Sequence, residues 1–481
     1  MDKYEKSWVY FLAACAFALG LFHIVSNDVW WHLAAGRWMA DNLAIPSADP
    51  FSYTTLGRKW VYHNWLFDLP LYLVEKFSGI NGLIIFRAAI VTLLGLLIYR
   101  LMRRHTSPAR AAVLTLFILG AIRTRFFLRP HLASFILFAL LFTALIKLYE
   151  KERVELWSAE FVSVPVIVFL WANMHASAVF GIFMIGAFWV SGIIGRKNQK
   201  TFLILLCVSF AAGLLNPNLL DVYIYPFRYL LFKTFLPFAN EEHLPPPGIM
   251  REPSLLIFWI ITFAGAGLFL LRIKKAPPYL LILYFAFLCL ALTSMRGIAF
   301  FSIVNGLAAA CLWPGNAGKS GKEKTAAAIL MLLAAATAFF TQSFEMKFET
   351  AKHAAPVSAA DFAERVGLKG NMFNSHPYGG YLIHRFYPER KVFIDGRDLL
   401  HEKTMRMIND LGYLPVLNIF KVEWIIAGYR DGVLKGLPEN DWQIIFSNDV
   451  SVVLAKKTGV NKNIVEKYGV DTSRHSTLPK K

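Results

Sequence analysis

Residues 161–195 read FVSVPVIVFLWANMHASAVFGIFMIGAFWVSGIIG, thirty-five positions without a Lys, Arg, Asp or Glu. A helix rises 1.5 Å per residue, so ~20 residues cross a ~30 Å hydrocarbon core. The run is therefore too long for one crossing. Its strongest polar residues, Asn173 and His175, sit mid-run in Trp171-Ala172-Asn173-Met174-His175-Ala176-Ser177. Lys147, Lys151 and Arg153 precede it, and Arg196, Lys197 and Lys200 follow it. Cytoplasmic flanks of membrane spans collect Lys and Arg. Both ends thus lie on one side, and the run is a hairpin of two spans turning at 171–177.

The same parity argument extends in both directions. With the N-terminus inside, spans are predicted at 8–25, 83–102, 111–122, 131–148, the two arms of 161–195, 201–215, 254–271, 279–293, 298–313 and 325–341. The expected fold class is a polytopic α-helical membrane protein of about eleven transmembrane helices with a C-terminal extracytoplasmic α/β domain. Composition agrees: the chain is 56% hydrophobic and 17% charged, against about 25% charged in soluble domains. That excludes a soluble enzyme, a coiled coil and a disordered chain. The spans lack strand-period alternation, which excludes an outer-membrane barrel. The net charge of +18 sits largely in short loops between spans, so it reads as topology and no nucleic-acid partner is expected. Residues 1–25 resemble a signal peptide in outline, but no A-x-A site follows, and an uncleaved first span is expected. Cys15, Cys207, Cys289 and Cys311 all lie in apolar spans and form neither a disulfide framework nor a zinc pattern.

The expected domains are a transmembrane domain, 1–341, with a large first outer loop at 26–82 and a second at 216–253, an extracytoplasmic α/β domain at 342–457, and a polar tail at 458–481. Within 356–457, the runs 371–373, 391–394, 424–427, 443–446 and 451–454 read as strands. Residues 381–386 and 402–411 read as helices.

This topology places nearly all the conspicuous polar residues on the outer side. Convergence of polar groups at one face of a membrane protein marks a site. Arg123, Arg125, Arg129 and His131 fall between two apolar spans, on the side where basic residues are disfavoured. Guanidinium forks match phosphate oxygens, so a lipid phosphate or pyrophosphate would satisfy them. They could equally reach headgroups or pair with an Asp of the first loop. Arg296, in another outer turn, joins Arg125 and Arg129 as a phosphate-binding candidate. Asp28 follows the first span in Ser26-Asn27-Asp28-Val29-Trp30-Trp31-His32. On a helix, Asp28 and His32 share a face, and a carboxylate there can act as a general base, bind a divalent cation with His32, or cap the helix. Asp49, in Asp49-Pro50, is a second catalytic candidate or a turn residue. His63, Asn64, His131, Asn173 and His175 complete the expected vicinity of substrate or metal. The first-loop tryptophans suit an interfacial belt, and 66–77 an amphipathic interfacial stretch.

Three segments carry a resemblance. Asp28-Val29-Trp30-Trp31-His32-Leu33-Ala34-Ala35-Gly36-Arg37, Ile45-Pro46-Ser47-Ala48-Asp49-Pro50-Phe51-Ser52 and Trp60-Val61-Tyr62-His63-Asn64-Trp65-Leu66 look like the large first outer loop of C-type glycosyltransferases, the protein-mannosyltransferase-like membrane enzymes. Uncharacterised bacterial members also carry late segments similar to Gly379-Gly380-Tyr381-Leu382 and Asp395-Gly396-Arg397. The resemblance implies an acidic residue early in the first outer loop as catalytic base or metal ligand, a position that Asp28 occupies. It also implies a polyprenyl-phosphate-sugar donor in contact with membrane lipids and work at the outer face of the cytoplasmic membrane; it leaves the cofactor open, a divalent cation such as Mg or Mn being one option. No nucleotide-binding glycine loop occurs, in keeping with a lipid-linked donor. A second reading stays open: a catalytically inactive scaffold that binds a lipid-linked glycan or anchors a cell-envelope assembly. The missing acidic neighbour of Asp28 favours it. The acceptor is not specified by either reading.

Overall fold

The computed structural model describes residues 3–232, 245–246, 253–313 and 355–470. Its first part is helical: α1 (Lys3–Gly20), α2 (Asp28–Asn42), α3 (Trp65–Arg103), α4 (Pro108–Ala121), α5 (His131–Glu150), α6 (Ala159–Ala172), α7 (Val179–Ile194), α8 (Gln199–Gly213), α9 (Asp221–Phe232), α10 (Pro253–Arg272), α11 (Pro278–Thr293) and α12 (Ile298–Leu312). The stretches Trp65–Arg103, His131–Glu150, Ala176–Ile194, Ser254–Lys275 and Met295–Leu312 are long and apolar enough to cross a membrane, and Pro108–Ala121, Ala159–Ala172, Gln199–Gly213 and Pro278–Thr293 are shorter apolar helices. The chain is a multi-pass membrane protein. The span expected at 325–341, residues 233–244 and 247–252 of the second outer loop, and 471–481 of the tail lie outside the described residues.

The arms of the 161–195 hairpin are α6 and α7, joined by a short 3₁₀ turn at Ala176–Ala178. Two boundaries differ from the sequence reading. The first helix stops at Gly20 instead of running to 25, and α3 begins at Trp65, absorbing the stretch 66–77 ahead of a break at Gly79 (φ 61°, ψ −162°). Arg87 of α3 accounts for the first difference. Its Nε donates to the Gly20 carbonyl (2.9 Å) and its Nη2 to the Phe22 carbonyl, with the guanidinium 3.5 Å over the Phe22 ring. The Gly20 carbonyl ends α1 without an intrahelical donor and the Phe22 carbonyl follows it, so one buried cation satisfies the helix terminus and the turn beyond.

The bundle has two chemically distinct ends. At one, Arg103 pairs with Glu5 (3.1 Å), Arg104 with Glu150, Lys197 donates to the Glu150 carbonyl (3.3 Å) and Arg110 lies over Trp313 (5.4 Å). The N-terminus and three basic loops therefore meet there, as parity requires. The conspicuous polar residues gather elsewhere, around the start of α2.

The second part is a small α/β domain: α13 (Val357–Val366), β1 (Asn371–Asn374), α14 (Gly379–Phe386), α15 (Glu402–Leu411), α16 (Tyr413–Ile419), β2 (Val422–Ala427), β3 (Trp442–Ser447), β4 (Val452–Lys456) and α17 (Lys462–Tyr468). The sheet order is β1-β2-β4-β3, with β1 parallel to β2 and the other pairs antiparallel. The run 391–394 is not a strand of this sheet. Val392 instead exchanges backbone bonds with the first loop, donating to the Phe51 carbonyl (3.0 Å) and accepting from Tyr53 N–H (3.1 Å). Asn374 holds the run's other edge, accepting from Phe393 N–H (2.9 Å) and donating to the Ile394 carbonyl (2.7 Å). Its backbone groups are satisfied across the domain junction, which leaves no partner for a ladder.

One apolar core continues from the helical bundle through α2 into this domain. Trp30 of α2 packs edge-on against Tyr381 of α14 (centroids 5.4 Å). Gly36 lets α2 lie directly on α3: a Cβ there would stand 2.4 Å from the Asp68 carbonyl and 2.6 Å from Tyr72 Cβ. Gly36→Ala is therefore expected to destabilise by about 1–3 kcal/mol through overpacking. Thermal unfolding checks this against Gly186→Ala, where nothing lies within 4 Å of the added Cβ. Equal melting temperatures for the two variants would refute the close α2–α3 contact.

Candidate functional site

Asp28 opens α2, in the first turn, where the helix dipole favours a negative charge. Asn27, at the N-cap position, makes no side-chain cap. Asp28 Oδ2 lies 3.2 Å from Arg129 Nη1, with the side chains 26% and 17% exposed respectively. Arg129 also donates Nε to Ser26 Oγ (2.7 Å). An arginine of the turn between α4 and α5 thus meets the first acidic residue of the first loop. Arg125 is buried in the 3₁₀ turn Arg123–Arg125, and its carbonyl accepts from His131 Nε2 (2.7 Å).

The α/β domain presses on the same carboxylate. A Cβ on Gly396 would come 2.4 Å from Asp28 Oδ1, and one on Gly380 would come 2.5 Å from the Asn27 carbonyl. Next to Gly396, Asp398 pairs with His376 at 2.9 Å. Burial opposes charge on His376, but Asp398, with Asp395 and Asp28 behind it, raises its pKa above the usual value.

Around the bundle axis, His63 and His175 face each other (centroids 6.4 Å), and Tyr225 of α9 packs on His63 (4.7 Å). Burial lowers His63 to about 4; its Nδ1–H faces the Val61 carbonyl at 3.2 Å. His175 is held well below its usual value by burial and by the neighbouring His63, His131 and Arg296. Its Nδ1 accepts from Ser177 N–H (3.3 Å), which requires the neutral ring. Arg296 lies within electrostatic reach of both His175 and Tyr225, and Tyr225 within reach of Asp398. Asp28, Arg129, His376, Asp398, Tyr225, Arg296, His175 and His63 consequently form one neighbourhood, drawn from widely separated stretches of chain.

Other candidates hold the scaffold. His32 Nδ1 meets Asp68 Oδ1 at 2.7 Å, and Asp68 accepts from Tyr62 OH at 2.6 Å, all buried. The expected Asp28–His32 pairing is thus replaced by a bond that locks α2 on α3. Asn173 accepts from Trp65 Nε1 (2.8 Å) and donates to the Leu215 carbonyl (3.0 Å), tying α3, the end of α6 and the turn after α8 together. Asn64 starts α3 with its carbonyl, while its buried Oδ1 meets no donor among the described residues. Asp49 accepts from Phe51 N–H (3.0 Å), Thr55 Oγ (2.6 Å) and Arg397 Nη1 (2.7 Å). Arg397 in turn grips Asp395 bidentately (2.7 and 2.6 Å), and His401 Nε2 sits 2.9 Å from Asp395. Burial works against charge on Asp395, yet Arg397 and His401 hold it well below the usual carboxylate range.

The donor set does not fit a divalent cation. Such ions take several oxygen ligands, but Asp28 is engaged by Arg129, His32 by Asp68 and Asp49 by Arg397. Among the described residues no group of three or more His, Cys, Asp or Glu side chains is placed to hold a metal. Sequence reading missed His376, Asp398 and Tyr225; the only available signal was the nearness of the first two to the Gly379-Gly380 and Asp395-Gly396-Arg397 segments.

No family model matches the sequence, and no curated protein matches it. Solved structures do. The chain is similar to the archaeal oligosaccharyltransferase AglB from Archaeoglobus fulgidus in complex with an inhibitory peptide and a dolichol-phosphate, with TM-score 0.64 and 14% identity over 89% of this chain and 69% of that one. It is similar also to the apo crystal structure of the Archaeoglobus fulgidus oligosaccharyltransferase, with TM-score 0.59 and 14% identity over 89% and 70%. Likeness at this identity carries the fold: the chain has the C-type glycosyltransferase fold, a multi-pass helical membrane domain ending in a small α/β domain.

Proposed function

We propose that this protein is a membrane glycosyltransferase that moves a sugar from a polyprenyl-phosphate-linked donor to an acceptor at the outer face of the cytoplasmic membrane. The N-terminus and the basic loops lie in the cytoplasm by the positive-inside rule, and the α/β domain is extracytoplasmic. The observation that carries this reading is the Asp28–Arg129 pair at 3.2 Å. It sets a carboxylate beside a cation that can receive phosphate, at a face where Arg125 and Arg296 add further charge. The dolichol-phosphate in the similar AglB structure supports a lipid-phosphate donor.

The acceptor O–H attacks the anomeric carbon as the bond from that carbon to the phosphate oxygen breaks. Asp28 takes the hydroxyl proton. The bond's electrons leave with the polyprenyl phosphate, whose added negative charge is met by Arg129, Arg125 and Arg296. One direct displacement inverts the anomeric centre. Asp49 keeps the first loop in place, and His32, His63, Asn64, His131, Asn173 and His175 shape the site around the reacting groups.

The test uses the full chain in nanodiscs with undecaprenyl-phosphate sugars, following release of undecaprenyl phosphate by mass spectrometry. Arg129→Gln is expected to raise the donor KM about tenfold, the scale of one charge-assisted hydrogen bond, with the acceptor KM unchanged. An unaltered donor KM would remove Arg129 from the phosphate site. The scaffold reading is favoured by the missing acidic neighbour of Asp28. It predicts donor binding with no release of undecaprenyl phosphate for any sugar tried.

A further inference from the structure

A cavity of about 440 Å³ lies between the first outer loop, α9 and the α/β domain, lined by Arg58–Val61, Tyr225, Arg228, Arg397 and Arg406 among others. Its size is that of a small-ligand site. Its charge is unbalanced. Lys59 is matched by Asp221 (2.7 Å), Arg406 by Glu402 (2.8 Å), and Arg397 by the buried Asp49 and Asp395. Two lining cations remain. Arg58 donates Nη1 to the Leu400 carbonyl (2.8 Å), and among the described residues neither Arg58 nor Arg228 has an ion pair. Both are exposed.

The cavity also adjoins the reacting groups. Gly396 touches Asp28, and the next residue, Arg397, lines the cavity. Base and cavity therefore lie on two sides of one turn. On the other flank, Tyr225 lines the cavity and stands within electrostatic reach of Arg296 and Asp398.

We propose that this cavity is the acceptor subsite and that it selects an acidic glycan. A carboxylate of the glycan rests between Arg58 and Arg228, and the chain runs past Tyr225 to present a hydroxyl to Asp28. Guanidinium forks bind carboxylates in this way, and a neutral sugar offers them no matching charge, so selection comes from charge. The inference rests on the glycosyltransferase reading above, but its test does not need turnover.

The experiment is calorimetric titration of the full chain in neutral-lipid nanodiscs, without donor, using a galacturonic acid trimer and its methyl ester. The acid is expected to bind at least about tenfold more tightly than the ester, and to weaken severalfold between about 50 and 300 mM salt through screening. Arg228→Glu is expected to weaken the acid about tenfold or more, with the ester within twofold. Lys59→Gln provides a second exposed variant, with a smaller loss. Asp28→Asn is expected to bind the acid as the wild type does. Equal affinity for acid and ester, or an acid affinity untouched by Arg228→Glu, would overturn the proposal. So would displacement of the acid by phosphatidylglycerol in the disc, which would assign the cations to lipid headgroups. Acid binding without any donor consumption would sink the glycosyltransferase reading and the acceptor role with it, leaving an acidic-glycan site; donor consumption without acid binding would sink the acidic acceptor alone.

Discussion

Asp28→Asn is expected to cut sugar transfer by about 10²–10⁴-fold, the usual contribution of a positioned general base, while the protein still folds. The amide keeps the shape of the carboxylate but accepts no proton at neutral pH. Stability should change little. The Asp28–Arg129 pair is partly exposed, and such pairs contribute about 0–1 kcal/mol. A second readout separates a base from a merely structural residue. Removing the carboxylate takes the negative charge of Asp28 away from Arg129, so donor phosphate should bind as tightly as before or more tightly, even as turnover collapses. Falling kcat with a constant or lower donor Kd supports the assignment. Full turnover in the variant, or parallel loss of turnover, donor binding and melting temperature, would overturn it.

The parts of this structure that could be read from sequence are those whose causes are local. Charge-free runs and the basic loops between them determine parity, and Glu5, Arg103, Arg104, Glu150 and Lys197 duly meet at one end of the bundle. The hairpin at 161–195 follows from its length and its basic flanks. The collection of polar groups at the opposite end was also legible, because lone histidines and arginines stand out against apolar spans.

Pairings within that collection were not legible. Asp28 and His32 share a helical face, which suggested joint action. The partner that His32 takes is Asp68, 36 positions on; one buried, short hydrogen bond between helices outweighs proximity on a helix surface. The run 391–394 has the composition of a strand, yet its backbone partners are Phe51 and Tyr53 of the first loop. β-propensity describes fit to a pleated, half-buried surface and does not say which chain supplies it. His376 was invisible for the same reason: its role depends on Asp398 and on Asp28, brought close by domain docking.

The second large effect is expected at Arg397, whose guanidinium joins residues 348 positions apart in the Asp49 bond. Arg397→Met would leave Asp49 and Asp395 buried without their cation. Removing one partner of a buried ionic group costs about 3–5 kcal/mol, because a buried charge stays uncompensated. The loss falls on the junction between the first loop and the α/β domain, so limited proteolysis should free that domain while the helical bundle persists. The pH response gives the sharper check. In the wild type the pKa of Asp395 is depressed on folding; its stabilisation is present above the unfolded value of about 3.9 and is lost only as pH falls further, towards the folded value. In the variant the buried carboxylates favour the protonated form, so acidification from pH 7 towards 5 should raise its melting temperature. The wild type should show no such gain in this window from these groups. A variant that melts like the wild type at pH 7, with the same pH slope, would mean that Arg397 is not what fastens the α/β domain against Asp28.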